Sequence, residues 1–258
     1  MLSEQLKKEV IQNIAQLHQE GYGIILVHGG GPFIQKMLDE VNLESEFIGG
    51  HRKTSLDALR YIEMTLKGEV NGSLVKMLNH AGLNAVGLSG KDGVLVTAKK
   101  REFRHRENGQ EKLLDLGQVG DVASVDTRLL QLLLENGYTP VITCLASDTE
   151  GNDFNINADM FAGHIAGVMK VDQLLVLTDV DGLMEDIDDP SSLIPQIDVD
   201  ALEPMYGKII KGGMIPKVES CEIALKKGAR SARIINGTKP ANIYESIHSE
   251  SLIGTEIC

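Results

Sequence analysis

No apolar run in the 258-residue sequence is long enough to cross a bilayer. Even QLLVLTDV stops far short of the ~20 apolar residues that a spanning helix requires. The opening MLSEQLKKEV has the alternation of an amphipathic helix rather than of a signal peptide, so a membrane is not expected as a partner. Cysteine is scarce: Cys144, Cys221 and Cys258 show neither paired nor metal-like spacing, which fits a reducing cytoplasm. Positive charge is in deficit, with 25 Lys and Arg against 37 Asp and Glu and a net charge of −12, which argues against nucleic acid. An anionic small substrate stays open, because a local basic pocket can outweigh the global field. Two nucleotide signatures are missing as well. There is no G-x-G-x-x-G, which gives a dinucleotide-binding oxidoreductase little support, and no G-x-x-x-x-G-K-[ST], which excludes a P-loop protein.

What is present is an ordinary globular composition, 42% hydrophobic and 24% charged, long enough for one large α/β domain or two fused lobes. Ser3 is placed to cap a first helix bearing Leu6, Val10, Ile14 and Leu17, which Gly21 ends. GIILVH reads as a short strand buried on both faces, and Pro32 falls in the first turn of the next helix. Thr54 and Asp57 have the spacing of a capping box before the long helical stretch DALRYIEMTLKGEVNGSLVKMLNHAG. NAVGLSG predicts another buried strand. Asn108-Gly109 is a hairpin signal between two strand-like stretches, which predicts a β-ribbon inserted near residues 93–122. The helix RLLQLLLENG, strand YTPVITCLA, helix ADMFAGHIAGVMK, strand QLLVLTDVDG, helix PKVESCEIALKKGA, strand SARIING and helix PANIYESIH follow. This alternation predicts an α/β fold, an αβα sandwich with a mostly parallel central sheet.

Ligands of such sheets gather where strands end and helices begin, because helix N-termini offer free amides and a favourable dipole. VHGGG (27–31) sits at such an end, and two readings stand: a tight turn demanding positive φ, or an anion cradle. GGHRKTS (49–55) sets Arg52 beside glycines and a helix start, where its fork suits a carboxylate, although a surface arginine explains it as well. DFNINAD (153–159) crowds polar residues at a strand–helix junction. Capping accounts for one or two of them but not for Asp159 inside the helix. TDVDG (178–182) is a turn after a very apolar strand, and EDIDDPSS (185–192) reads as a solvated acidic loop. IIKGGMIPK (209–217) pairs a second glycine loop with lysines, as a nucleotide's phosphates require.

Taken in order, VHGGG, GGHRKT, GLSGKDG, LGQVGDV, NINAD, TDVDG and GGMIPK resemble the amino-acid kinase family over essentially the whole chain, Leu2 to Cys258. GLSGKDG, NINAD and GGMIPK bring the resemblance nearest to its members that phosphorylate N-acetyl-L-glutamate in arginine biosynthesis. The resemblance implies a cytoplasmic enzyme moving the γ-phosphoryl of ATP onto the substrate's side-chain carboxylate, giving an acyl phosphate without a covalent enzyme intermediate. By this resemblance residues 1–170 form a lobe for the acylated amino acid and for homodimerisation, and residues 171–258 a lobe for ATP. Gly30 and Gly31 would hold the substrate and the moving phosphoryl through their amides, with Gly29 on the nucleotide side. Arg52 would clamp the α-carboxylate together with Asn155. Asp159 would organise the catalytic lysines, and Lys217 would neutralise phosphate charge. The nucleotide would lie on Asp179, Val180, Asp181, Gly182, Leu183 and Met184 and on Ile209, Ile210 and Lys211. Mg2+ would arrive on the phosphates, with no protein ligand of its own.

Two departures shape the expectation. Family members begin with a strand ending in Lys and a Gly-Gly loop, whereas this sequence starts at the helix that normally follows. The chain as given is therefore expected to be a poor kinase, and an N-terminally extended one an active kinase. Ala241 and Asn242 stand where arginine-inhibited relatives carry a histidine, so arginine inhibition and its hexamer are not expected. Two other readings remain. One is a kinase of another acylated amino acid, such as N-succinylglutamate or carrier-linked aminoadipate; the other is a non-catalytic ligand-binding relative.

Overall fold

The structure is a computed structural model that describes residues 4–107, 110–249 and 252–258. The chain divides into two compact units, one of residues 25–76 and 85–161, the other of residues 1–24, 77–84 and 162–258. The change of unit at 161/162 falls inside the helix Ala158–Met169, and the first 24 residues group with the carboxyl-terminal part of the chain.

In the first unit the strands Leu26–His28, Thr139–Thr143 and Ala85–Ser89 form a parallel sheet, with Thr139–Thr143 in the middle. All five residues of the middle strand are buried, which explains its unbroken apolar reading as a strand covered on both faces. Leu26–His28 differs from expectation. Among the described residues it has a sheet neighbour on one side only, and Leu26, Val27 and His28 are each half-buried. The helix Gly31–Glu40 follows with Pro32 in its first turn and turns Ile34 and Leu38 into the core.

The long helical stretch starts one residue later than its apparent cap. Ser55, not Thr54, accepts the Ala58 amide, at 3.1 Å. Thr54 is fully buried, its hydroxyl donating to the Arg52 carbonyl at 2.9 Å while its backbone bridges to Gly117. From there Leu56–Glu63 is α-helical, Met64–Asn71 winds as a π-helix, and Gly72–His80 returns to α geometry. Insertions of this kind re-aim side chains and are frequent at functional sites. Four strands, Val96–Lys100, Val119–Val125, Asp153–Ile156 and Leu145–Ser147, close into a small barrel. The inserted ribbon is formed by Phe103–Glu107 paired with Gln110–Leu114, and the expected Asn108-Gly109 turn lies outside the described residues, as does Ser3.

In the second unit Gln173–Thr178 runs parallel to Ser231–Asn236, which pairs antiparallel with Thr255–Ile257; the latter is parallel to Gln196–Ile197. Leu174, Val176, Ala232, Ile234 and Ile257 of these strands join Val218, Cys221 and Ala224 of the helix Met214–Lys227 in one core. Each large aliphatic side chain so buried contributes about 1.5–3 kcal/mol. The helices Glu4–Gln19 and Ala241–His248 pack together, and Glu20 accepts from Tyr244 and pairs with His248, both at 2.8 Å. No helix among the described residues is long and apolar enough to cross a membrane.

Candidate active site

The first unit holds one group of the predicted site residues. His28 ends its strand, and the chain turns through Gly29 and Gly30 into the helix that begins at Gly31. None of the three glycines lies in the left-handed φ region, Gly30 being extended at φ 175°, so the turn reading does not explain them. Close approach explains two. A Cβ on Gly30 would stand 2.7 Å from Leu66 Cδ2, and one on Gly29 would stand 3.2 Å from the Cβ of Ala158. A Cβ on Gly31 would meet nothing within 4 Å, so packing gives no reason for glycine there.

Below the loop lies a polar support that the sequence reading missed. Asn71, 2% exposed at the end of the π-helix, donates from its amide to His28 Nε2 and to the Val141 carbonyl, both at 2.9 Å. With Nε2 accepting, His28 Nδ1 carries the proton and donates to the Gly29 carbonyl at 2.9 Å. Burial holds the His28 pKa below 6.5, with Lys67 adding to the fall and the Gly29 hydrogen bond opposing it, so the ring is neutral as this geometry demands. The signal in the sequence was a buried-pattern asparagine between Val70 and Leu74, where a helix core otherwise has no use for one.

Arg52 is brought to the glycine loop. It donates to Gln35 Oε1 at 2.8 Å, to Ser45 Oγ, and to the Gly31 carbonyl at 3.4 Å, and it lies 4.5 Å over the Phe47 ring. All of these hydrogen-bond acceptors are neutral. Burial lowers its pKa while Asp39 opposes the shift at longer range. A half-buried guanidinium held by neutral groups keeps its charge available for an anion. Asn155 lies in the barrel strand Asp153–Ile156, half-buried, opposite Leu145 and Val119. Asn157 Oδ1 caps the next helix by accepting the Met160 amide at 3.0 Å, so Asp159 in the first turn is not the cap. Cys144, close to Asp159, has its thiol pushed up to about 12 by burial, with the carboxylate adding to the shift, and is inert.

Two further cations of this unit are already committed. Lys67 pairs with Asp92 at 2.7 Å and donates to the Gly87 carbonyl at 3.2 Å. Burial alone would raise the Asp92 carboxyl, but Lys67 and the Ser89 donors outweigh it and hold it low. Lys91 pairs with Glu63 and, at 3.0 Å, with Asp153. The GLSGKDG stretch thus closes on itself electrostatically, and of these three cations Arg52 is the one with no carboxylate in its contacts.

The second unit holds the remaining predicted residues. Asp179, Val180, Asp181, Gly182, Leu183 and Met184 leave the strand Gln173–Thr178. Leu183 is buried, and its amide donates to Thr255 Oγ1 at 2.8 Å. Ile209, Ile210 and Lys211 follow a tight turn in which the Met205 carbonyl accepts from the amides of Lys208, Ile209 and Ile210 at 3.0–3.1 Å. Gly212 has φ +51, and neither it nor Gly213 has any atom within 4 Å of a Cβ position. Gly213 then caps the helix Met214–Lys227, with Lys217 near its start. A hollow of about 310 Å3 in this unit, lined by Glu20, Gly21, Tyr22 and His248, contains no predicted site residue. Among the described residues no three His, Cys, Asp or Glu side chains form a metal site.

The profile of the amino acid kinase family matches residues 2–236. An acetylglutamate kinase of Methanococcus maripaludis is 42% identical over 258 residues, covering 100% of this chain and 88% of the relative. One from Archaeoglobus fulgidus is 40% identical, covering 100% and 89%. Among solved structures, a Streptococcus mutans protein superposes with a TM-score of 0.77 at 26% identity, over 100% of this chain and 93% of that one. The chain belongs to the amino acid kinase family.

Proposed function

We propose that the chain transfers the γ-phosphoryl group of ATP to the side-chain carboxylate of N-acetyl-L-glutamate, giving an acyl phosphate for arginine biosynthesis in the cytoplasm. The observation that carries this reading is Arg52: a half-buried guanidinium whose hydrogen-bond acceptors are all neutral, set 3.4 Å from the carbonyl of a glycine with an open face. That arrangement suits the α-carboxylate of an acylated amino acid, with Asn155 as a second polar contact. Gly30 and Gly31 offer amides to the substrate and the moving phosphoryl, with Gly29 beside them, at a helix N-terminus whose dipole favours negative charge.

The nucleotide is assigned to residues 179–184 and 209–211. Gly212 and Gly213, with open space at their Cβ positions, let the phosphates approach the backbone, and the Lys217 ammonium neutralises their charge. Asp159 is assigned the orientation of cationic groups. Catalysis is then alignment and charge neutralisation, with no covalent enzyme intermediate. We assign Mg2+ to the phosphates, where it would supply charge neutralisation. We assign the acylated amino acid to residues 1–170, with homodimerisation, and ATP to residues 171–258.

The test is trapping of the acyl phosphate with hydroxylamine. ATP-dependent hydroxamate formation with N-acetyl-L-glutamate, lost on chelation of Mg2+, is the expected result. Hydroxamate with N-succinylglutamate or another acylated amino acid but not with N-acetyl-L-glutamate would overturn the substrate. ATP binding with no hydroxamate from any of them would make the chain a non-catalytic binder.

A further inference from the structure

The turn that follows Gln173–Thr178 is tied to the turn that follows the neighbouring parallel strand, Ser231–Asn236. Thr178 and Asn236 stand opposite each other in the register, so the two turns leave the sheet side by side. The Gly237 amide donates to the Thr178 carbonyl at 2.7 Å. Asn236, 6% exposed, donates its amide to Asp181 Oδ1 at 2.8 Å, and its own Oδ1 accepts from the amide and hydroxyl of Thr238 at 2.9 and 2.6 Å. Lys239 then donates to both carboxylate oxygens of Asp181, at 2.7 and 2.9 Å. Lys239 and Asn236 together hold the Asp181 carboxyl below the usual range, so it stays ionised and occupied.

This matters because the segment is acidic. Asp179, Asp181, Glu185, Asp186, Asp188 and Asp189 fall within eleven positions, the first two on the turn that the proposed function gives to a polyanionic nucleotide and the other four directly after it. An uncompensated carboxylate there repels phosphate. A loop free to move loses affinity through the ordering it must undergo on binding. One lysine answers both.

We infer that Lys239 and Asn236 are positioning residues for the nucleotide: Lys239 neutralises Asp181 and, with Asn236, pins the 179–184 turn for ATP. The inference rests on the assignment of that turn to ATP. It gives Asp181 a structural role, with its oxygens engaged by an ammonium and an amide rather than offered to Mg2+.

The test combines steady-state kinetics with hydrogen exchange. Protection of amides 179–184 by ATP in the unaltered chain checks the assignment itself; its absence overturns the assignment and the inference with it. With protection present, Lys239→Gln is expected to raise KM for ATP about two- to five-fold, the range of an exposed ion pair. KM for N-acetyl-L-glutamate and kcat at saturating ATP stay unchanged, and exchange of 179–184 without ATP becomes faster. Lys239→Glu is expected to have a larger effect that weakens as salt is raised, and Lys239→Arg to restore the original KM. ATP protection with an unchanged KM for ATP in Lys239→Gln overturns the inference alone. So does a loss spread equally over both substrates and kcat, which is the signature of a general packing role.

Discussion

The two glycine loops look alike in sequence and differ in what requires the glycines. In HGGG the first two are pressed against neighbours, Gly29 against Ala158 and Gly30 against Leu66, while the third faces open space. In KGGM both face open space, and Gly212 alone needs its φ of +51. The first loop is therefore built into its unit, braced by His28 and Asn71, and leaves one glycine with open space at its Cβ position. The second is an exposed hinge before a helix that carries Lys217. A glycine conserving the fold and a glycine admitting a ligand cannot be told apart by letter, but the space around a Cβ separates them.

Three substitutions break this comparison at different points. The largest effect is expected from Lys217→Met in the open loop's helix. Loss of one preorganised cation costs on the order of 10²–10³ in kcat, with little change in thermal stability; a mild loss confined to KM would remove Lys217 from the transition state. Next comes Gly30→Ala in the braced loop. The added methyl meets Leu66, itself fully buried, and overpacking of this kind costs about 1–3 kcal/mol in unfolding free energy, read by urea denaturation. Unchanged stability would show that Leu66 yields freely.

The smallest of the three is the pH response of the brace. Burial holds the folded-state pKa of His28 below 6.5, so the unfolded chain binds more protons between those two values. The contribution of His28 to stability is thus complete above pH 6.5 and is lost as pH falls through the folded-state pKa. His28→Gln, measured by thermal denaturation across that window, is expected to flatten the acid limb of the stability curve. An identical limb in both proteins would show that His28 does not titrate with unfolding.

Much of this arrangement could be read from residue order. The alternation of apolar strands and capped helices gave the α/β class. TPVIT read as a buried strand because it is the middle of its sheet, and Pro32 marked a helix start that the structure keeps. Leu26–His28 misled because an aliphatic run records hydrophobicity and not the number of sheet neighbours. Thr54 misled as a cap because Ser55 next to it has the same chemistry, and backbone pairing with Gly117 decided between them. The site residues that could be named were those with a motif. Asn71, Lys67, Asn236 and Lys239 had none, since each acts through a partner far along the chain, 43 residues away for Asn71 and His28 and 58 for Lys239 and Asp181. Such pairings exist only once the fold has brought the strands together.

Gly31 tests most directly whether the braced loop keeps a glycine for a ligand and not for the fold. A methyl there touches nothing and lies at the start of a helix, so Gly31→Ala is expected to leave unfolding free energy unchanged or raise it by up to about 1 kcal/mol. ATP- and N-acetyl-L-glutamate-dependent hydroxamate formation is expected to fall about ten-fold or more in the same protein. Full activity in a stable Gly31→Ala chain would contradict the account.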